Sequence, residues 1–443
     1  MIFSSIQFLI FFLIFLVSIK IFKNNQRSII ILFSLFFYAY WNPLFIFLII
    51  FFLITSYFFI KKDINLKISI PITLIPLFYF KYSFFLSSFF HSEILTLFSY
   101  RGSLPLAISF ITFTGIAILV DVKTKKYNER INFFSLSEFL IYFPQLIAGP
   151  ILRAKELMPL LKNKIIFNNR NIKLGILLFI VGFTKKVFLA DSIADFIDPI
   201  FEKENLIASE DYLKGFLLFP LQIYFDFSGY VDMALGISKI LSIDLPINFN
   251  KPYLSNSLTE FWRNWHITLS KWFRDYIYIP LGGSKNGNKK LFYNLFLTMT
   301  IAGLWHGASI NFILWGSLNG IFLFLEKKVS NYCNLNKSLK IFLTCFLIFN
   351  LWIIFRINDL NFIIIFYYNL YSNLLTSMTI ENFLLLLLVV LAIFTQKFDN
   401  YNYIEKASKK TSFLILIPVL IIILITGLAI KAGSSDKFIY FNF

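Results

Sequence analysis

His306 lies between glycines in Ile301–Phe312, IAGLWHGASINF, and His266 closes the aromatic block FWRNWH at Phe261–His266. The chain holds only three histidines in 443 residues, so two in such settings stand out. A low-dielectric surrounding favours the neutral imidazole. A neutral imidazole accepts a proton, as a general base must. The same ring in an apolar helix also serves as an interhelical hydrogen bond or as part of a proton relay. Two carboxylates raise the same question. Asp226 and Asp232 sit inside LQIYFDFSGYVDMALG, Leu221–Gly236. Intramembrane carboxylates are either functional or paired. Here the pairing choices are backbone near Gly229 or an arginine.

Other chemistries lack their residues. No G-x-S-x-G occurs, so Ser228 beside Gly229 is not a hydrolase elbow. The residues five after the histidines are Thr96, Lys271 and Asn311, so the soluble acyltransferase pattern H-x-x-x-x-D is missing. Dispersed histidines with Cys333 and Cys345 give no metal-ligand spacing and no disulfide framework.

The elements that hold these residues are apolar. The chain is 58% hydrophobic and only 15% charged, with a mean hydropathy of +0.73. Apolar runs at Ile2–Ile19, Ser28–Ile60, Ile68–Phe90, Leu104–Val120, Ser338–Phe355, Asn382–Phe394 and Ser412–Ile430 approach or exceed the length of a membrane span. They do not alternate, which excludes a β-barrel. Ile2–Ile19 lacks a basic leader and a cleavage site, so it reads as a retained span. The expected architecture is all-α and polytopic, with about ten or more transmembrane helices plus re-entrant or interfacial helices. One integral domain over residues 1–443 is the economical division.

Net charge is +17, a balance that in a soluble chain suggests nucleic acid. Here lysine and arginine gather in short loops between apolar runs, at Lys20–Arg27, Lys61–Lys67, Lys123–Arg130 and beyond. That is the positive-inside pattern of a membrane protein, not a nucleic-acid surface. Asn42-Pro43 splits Ser28–Ile60 into two helices. Leu140–Arg153, LIYFPQLIAGPILR, is short and broken by Pro144, Gly149 and Pro150, so it reads as re-entrant or interfacial.

Two blocks position the histidines. Leu291–Leu325 is too long for one span and has lysine pairs at both ends, Lys289-Lys290 and Lys327-Lys328. It must turn back near Gly303–Ser309. His306 then lies about 23 Å of helix from either end. Gly303/Gly307 and Gly316/Gly320 are each four apart, which lets other helices approach closely. Glu260–Gly283, EFWRNWHITLSKWFRDYIYIPLGG, reads as one helix with two faces. Trp262, Trp265, Leu269, Trp272 and Tyr276 form an aromatic stripe; Arg263, His266, Ser270 and Arg274 form a polar one. Such a helix either lies at the membrane surface or lines a polar cavity. Arg263 and Arg274 suit phosphates, with a pair to Asp275 or a lipid headgroup as the plainer use.

Five stretches in order, FPQLIAGPILR, IYFDFSGYVDMALG, FWRNWHITLSKWFRDYIYIPLGG, GLWHG and the terminal FIYFNF, resemble the membrane-bound O-acyltransferase family. The likeness is densest over residues 141–320, and the nearest branch is that of alginate O-acetylases and peptidoglycan O-acetyltransferases. Asn264 and Asn442 depart from the common pattern at positions with no assigned catalytic group. The resemblance implies that His306 is the catalytic histidine and His266 a second active-site residue. It implies a ring of helices around a thinned membrane centre, entered by a funnel on one side and a tunnel on the other. It implies acyl transfer from a cytoplasmic thioester, acetyl-CoA, with no bound cofactor and no metal. It further implies a bacterial cytoplasmic (inner) membrane location, a polysaccharide acceptor outside, and a periplasmic or extracellular serine-bearing partner that completes the transfer. Richness in Phe, Ile, Lys and Asn leans the acceptor away from alginate and toward peptidoglycan or another surface glycan. Three alternatives stay open: D-alanyl transfer to teichoic acid, a proton-coupled transporter or flippase, and a non-catalytic membrane scaffold. A transporter would carry inverted repeats, and none is seen.

Overall fold

A computed structural model describes residues 1–90, 93–146, 149–202, 208–285, 287–329, 335–374 and 377–431. His91, Cys333 and the terminal FIYFNF lie outside the described residues. Among those described, regular structure is helical throughout, with no strand. The chain divides into two compact units. One holds residues 1–180, 230–246 and 411–431; the other holds 181–229 and 247–410.

In the first unit the early topology follows the expected breaks. The Gln26–Ala39 helix ends before Asn42, whose side chain accepts from the Leu44 N–H at 3.0 Å. Pro43 opens a short 3-10 turn, where its missing N–H costs nothing, and Ile46–Lys61 follows. Phe133–Ile141 breaks at Tyr142, and Phe143–Leu146 resumes as a single turn. Residues 135–141 and 143–146 are buried, and the Phe143 N–H donates to Ser34 Oγ at 3.2 Å. Protein therefore shields the interrupted backbone, as a re-entrant segment requires. The buried Glu138 carboxylate pairs with Arg27.

Among the described residues four helices, Pro43–Lys61, Leu66–Phe89, Lys337–Arg356 and Phe413–Lys431, are long and apolar enough to cross a membrane. Ile6–Ile21, Gln26–Ala39 and Ile380–Thr395 are apolar but shorter. Phe413–Lys431 exposes Leu414, Ile415, Ile417, Val419, Ile421 and Ile430, which together cover most of its girth. Water would not tolerate such a surface; acyl chains would.

The second unit is organised around aromatics. Trp265, Trp315, Trp352, Tyr253 and Tyr224 are fully buried. The Tyr253 hydroxyl donates to the Pro220 carbonyl at 2.6 Å and accepts from Trp352 Nε1 at 3.1 Å. Indole and phenol thus bury large area while meeting their polar needs.

Candidate active site

The long apolar run folds back as anticipated. Gly287–His306 and Ile310–Val329 form an antiparallel hairpin, with the turn at Gly307–Ser309. The glycines act between these two helices. A Cβ at Gly303 would lie 2.1 Å from the Phe312 carbonyl oxygen, one at Gly316 2.3 Å from that of Met299, and one at Gly320 2.7 Å from the Phe296 Cα. They therefore set the hairpin's own contact distance rather than admitting other helices. Gly316→Val is expected to lower stability by about 1–3 kcal/mol through overpacking, read as a fall in the thermal midpoint of the detergent-solubilised protein. An unchanged midpoint would show that the hairpin is looser than this.

His306 is the last residue of the first hairpin helix and is 7% exposed. Its ring meets Trp305, Trp315 and Phe355 edge-on, with centroids 4.9, 5.3 and 5.1 Å away. Asn311, just past the turn, donates through Nδ2 to the carbonyls of Ile354 and Phe355. That bond ties the histidine's turn to the end of Lys337–Arg356.

The expectation of one continuous helix over Glu260–Gly283 is wrong. The block forms Leu258–Asn264, then Ile267–Phe273, then a π-helical turn at Arg274–Tyr278. The break is His266 itself, which adopts left-handed backbone with φ 40° and ψ 58°. An L-residue with a bulky side chain rarely holds that conformation unless its surroundings impose it. Asn248 imposes it. Its carbonyl accepts the Ile267 N–H at 3.0 Å, and its Oδ1 accepts the Thr268 N–H at 3.1 Å and the Thr268 hydroxyl at 2.7 Å. Asn248 is wholly buried, so these bonds are not exchanged for water. Helical periodicity cannot reveal a partner eighteen residues upstream.

The His266 ring packs edge-on to Phe227 at 4.7 Å and to Trp305 at 6.2 Å. Trp305 therefore touches both histidines. Neither ring nitrogen of His266 has a hydrogen-bond partner among the described residues. Burial of the ring disfavours its charged form. The ring is neutral and offers one N–H donor and one acceptor to whatever it meets.

A second link joins the two histidine-bearing elements. The Glu326 carboxylate, on Ile310–Val329, accepts the Leu258 N–H, the Thr259 N–H at 3.0 Å and the Thr259 hydroxyl at 2.6 Å. Trp262 Nε1 donates to Asn319 Oδ1 on the same helix at 3.2 Å.

Between these elements lies a cavity of about 920 Å³ that reaches both His266 and His306. Leu291, Leu295, Thr298, Met299, Ala302 and His306 line one wall, all on one face of Gly287–His306. Leu291 to His306 is about 22 Å of helix, so the space is a slot rather than a round chamber. Arg263, Lys271, Arg274 and Lys327 also line it and are exposed. The one acidic lining residue, Glu326, is already engaged by backbone. All four members of the expected polar stripe, Arg263, His266, Ser270 and Arg274, reach this cavity. Arg274 also pairs with Asp275 at 2.7 Å, the plainer use foreseen for it. No ion pair forms on Arg263 among the described residues.

Asp226 and Asp232 do not join the cavity lining. Asp226 pairs with Lys186 at 2.6 Å, and Lys186 also pairs with Asp191 at 2.6 Å. The partner is thus a lysine rather than the arginine considered from sequence. Neighbouring Lys185 pairs with Asp399, which also accepts the Tyr224 hydroxyl. These lysines were missed. The signal was there: KK at Lys185-Lys186 falls inside an apolar run, where unpaired charge is costly. Among the described residues no three His, Cys, Asp or Glu side chains gather as a metal-ligand group.

Similarity to known proteins agrees with this geometry. The chain is 39% identical over 378 residues to the peptidoglycan O-acetyltransferase of Helicobacter pylori, covering 75% of this chain and 71% of that protein. It is 37% identical over 388 residues to the probable alginate O-acetylase of Pseudomonas aeruginosa, covering 81% and 73%. Likeness to the teichoic acid D-alanyltransferase of Bacillus subtilis is weaker, 28% over 244 residues, covering 51% of this chain and 61% of that protein. Residues 79–367 match one family, and that stretch includes both histidines, the strained turn and the slot. The chain is a multi-pass membrane enzyme and belongs to the membrane-bound O-acyltransferase family.

Proposed function

We propose that the protein moves an acetyl group from cytoplasmic acetyl-CoA to a cell-envelope polysaccharide of the peptidoglycan or alginate class. The observation that carries this reading is the slot, whose lining brings together four exposed basic side chains, an apolar face of Gly287–His306 and two buried histidines. A phosphate-bearing thioester matches that combination. Its phosphates meet Arg263, Lys271, Arg274 and Lys327, its arm follows the helix wall, and its carbonyl reaches His306. The lysine pairs flanking the hairpin favour a cytoplasmic opening for the slot.

In the reaction His306 takes the proton of an acceptor hydroxyl as its oxygen attacks the thioester carbonyl. His266, whose ring nitrogens have no hydrogen-bond partner among the described residues, donates an N–H to the developing oxyanion. Collapse of the tetrahedral intermediate breaks the carbon–sulfur bond. The thiolate leaves and takes up the proton that His306 removed from the acceptor hydroxyl. The surrounding Trp305, Trp315 and Phe355 keep water from competing as the nucleophile. The immediate acceptor is a serine of a periplasmic partner in the inner-membrane assembly, which passes the group to the glycan. Greater similarity to the two O-acetyl-transferring relatives than to the D-alanyltransferase favours acetyl over D-alanyl.

The test is label transfer from acetyl-CoA by purified protein in lipid discs, with the envelope glycan and its secreted partner supplied. Arg263→Gln combined with Lys271→Gln is expected to raise KM about tenfold or more at low salt, because each lost guanidinium or ammonium contact to phosphate is charge-assisted. The gap between variant and wild type should narrow as ionic strength rises. No labelled product from wild type, or transfer from a D-alanyl thioester only, would overturn the reading.

A further inference from the structure

Threonines in these helices commonly satisfy themselves. Thr73, Thr112, Thr300 and Thr344 each donate to the carbonyl four residues back, at 2.7 to 2.8 Å. Thr298 does not, although it lies in the middle of Gly287–His306 and its i−4 carbonyl is within the same helix. Its side-chain oxygen is buried and has no partner among the described residues. Thr298 is only 5% exposed, and it lines the slot. Its neighbours on that wall, Leu291, Leu295, Met299 and Ala302, carry no hydrogen-bonding side-chain N–H or O–H. A wall meant only for a hydrocarbon chain would place valine here, which has the same shape.

We propose that Thr298 is a donor-recognition residue, whose hydroxyl hydrogen-bonds an uncharged polar group of the amide class carried by the acyl donor about 12 Å of helix from His306. The inference rests on the reading that a thioester donor lies in the slot with its carbonyl at His306. The basic side chains of the slot are exposed, whereas Thr298 is buried beside Leu295 and Met299, so an ionised ligand group would not settle there. A hydroxyl both donates and accepts. It therefore meets either the N–H or the C=O of an amide. Such a contact would separate an amide-bearing arm from a plain alkyl thioester of equal length, because the site's own polar atom is left unmatched by the wrong ligand.

Two donors and two variants test this in lipid discs. Acetyl-CoA spans the slot; S-acetyl-N-acetylcysteamine ends short of Thr298. For acetyl-CoA, Thr298→Val should raise KM about tenfold with kcat little changed, and Thr298→Ser should stay near wild type. For the short donor, Thr298→Val and wild type should match. An equal loss on both donors, or no loss on either, would overturn the proposal. If the wild type does not turn over the short donor, the KM–kcat split for acetyl-CoA decides: a fall in kcat alone overturns it. Failure of wild type on acetyl-CoA itself would instead remove the underlying reading of the slot.

Discussion

His306→Gln is expected to lower acyl transfer by at least about 100-fold, the usual contribution of a positioned general base, while leaving the thermal midpoint near that of wild type. Glutamine approximates the imidazole in volume and keeps a hydrogen-bonding end. It cannot take up a proton near neutral pH. His306→Ala should lose transfer as well, but it is the poorer probe. The ring fills a box formed by Trp305, Trp315 and Phe355, and emptying it leaves a cavity with its own destabilising cost. His266 provides the contrast. Its position needs one hydrogen-bond donor, so His266→Asn should fall less far, and asparagine tolerates the left-handed backbone that His266 adopts. The measurement is initial-rate label transfer, normalised to folded protein by a thermal melt on the same sample. Retention of half the wild-type rate by His306→Gln would remove proton abstraction from this residue.

Much of this site is legible without coordinates, for identifiable physical reasons. The hairpin turn at Gly307–Ser309 follows from run length and flanking charge, both local properties of the chain. The break at Asn42-Pro43 follows from proline chemistry alone. The strained turn at His266 is not legible. Tryptophan and polar residues recur at helical spacing straight through Phe261–Tyr276, and only Asn248, distant in sequence, interrupts the helix. Thr298 is invisible for a related reason. A threonine in an apolar helix ordinarily bonds its own backbone, and its failure to do so is a fact of side-chain orientation. Arg263 and Arg274 lie between these extremes. Their face is readable, and for Arg274 the structure shows one of the plainer uses that the sequence offers, a pair with Asp275.

Lys186→Met should be the most destabilising single change in the second unit. The Lys186 side chain is 2% exposed and stands between Asp191 and Asp226, each 2.6 Å away. Removing this cation takes a 2.6 Å partner from two carboxylates at once in a low-dielectric site. Breaking a buried pair from one side costs about 3–5 kcal/mol, a large share of ordinary folding stability. Asp226→Asn should cost distinctly less, because Lys186 keeps Asp191 and the amide still accepts a hydrogen bond. The close approach of the two chain segments makes relaxation difficult. A Cβ at Gly229 would lie 2.7 Å from the Gly182 carbonyl oxygen and 3.0 Å from the Lys186 nitrogen. The order of thermal midpoints, wild type above Asp226→Asn above Lys186→Met, checks the argument, and equal midpoints would sink it. Activity of the milder variant then separates two roles for the same carboxylate. A proton-coupled carrier needs Asp226 to load and unload a proton, so its asparagine variant would be inactive although folded. An acyltransferase with its chemistry at His306 needs only the shape that the ion pair holds. Asp226→Asn should therefore retain acyl transfer within a few-fold of wild type, and a folded but inactive protein would assign the buried carboxylate to the reaction itself.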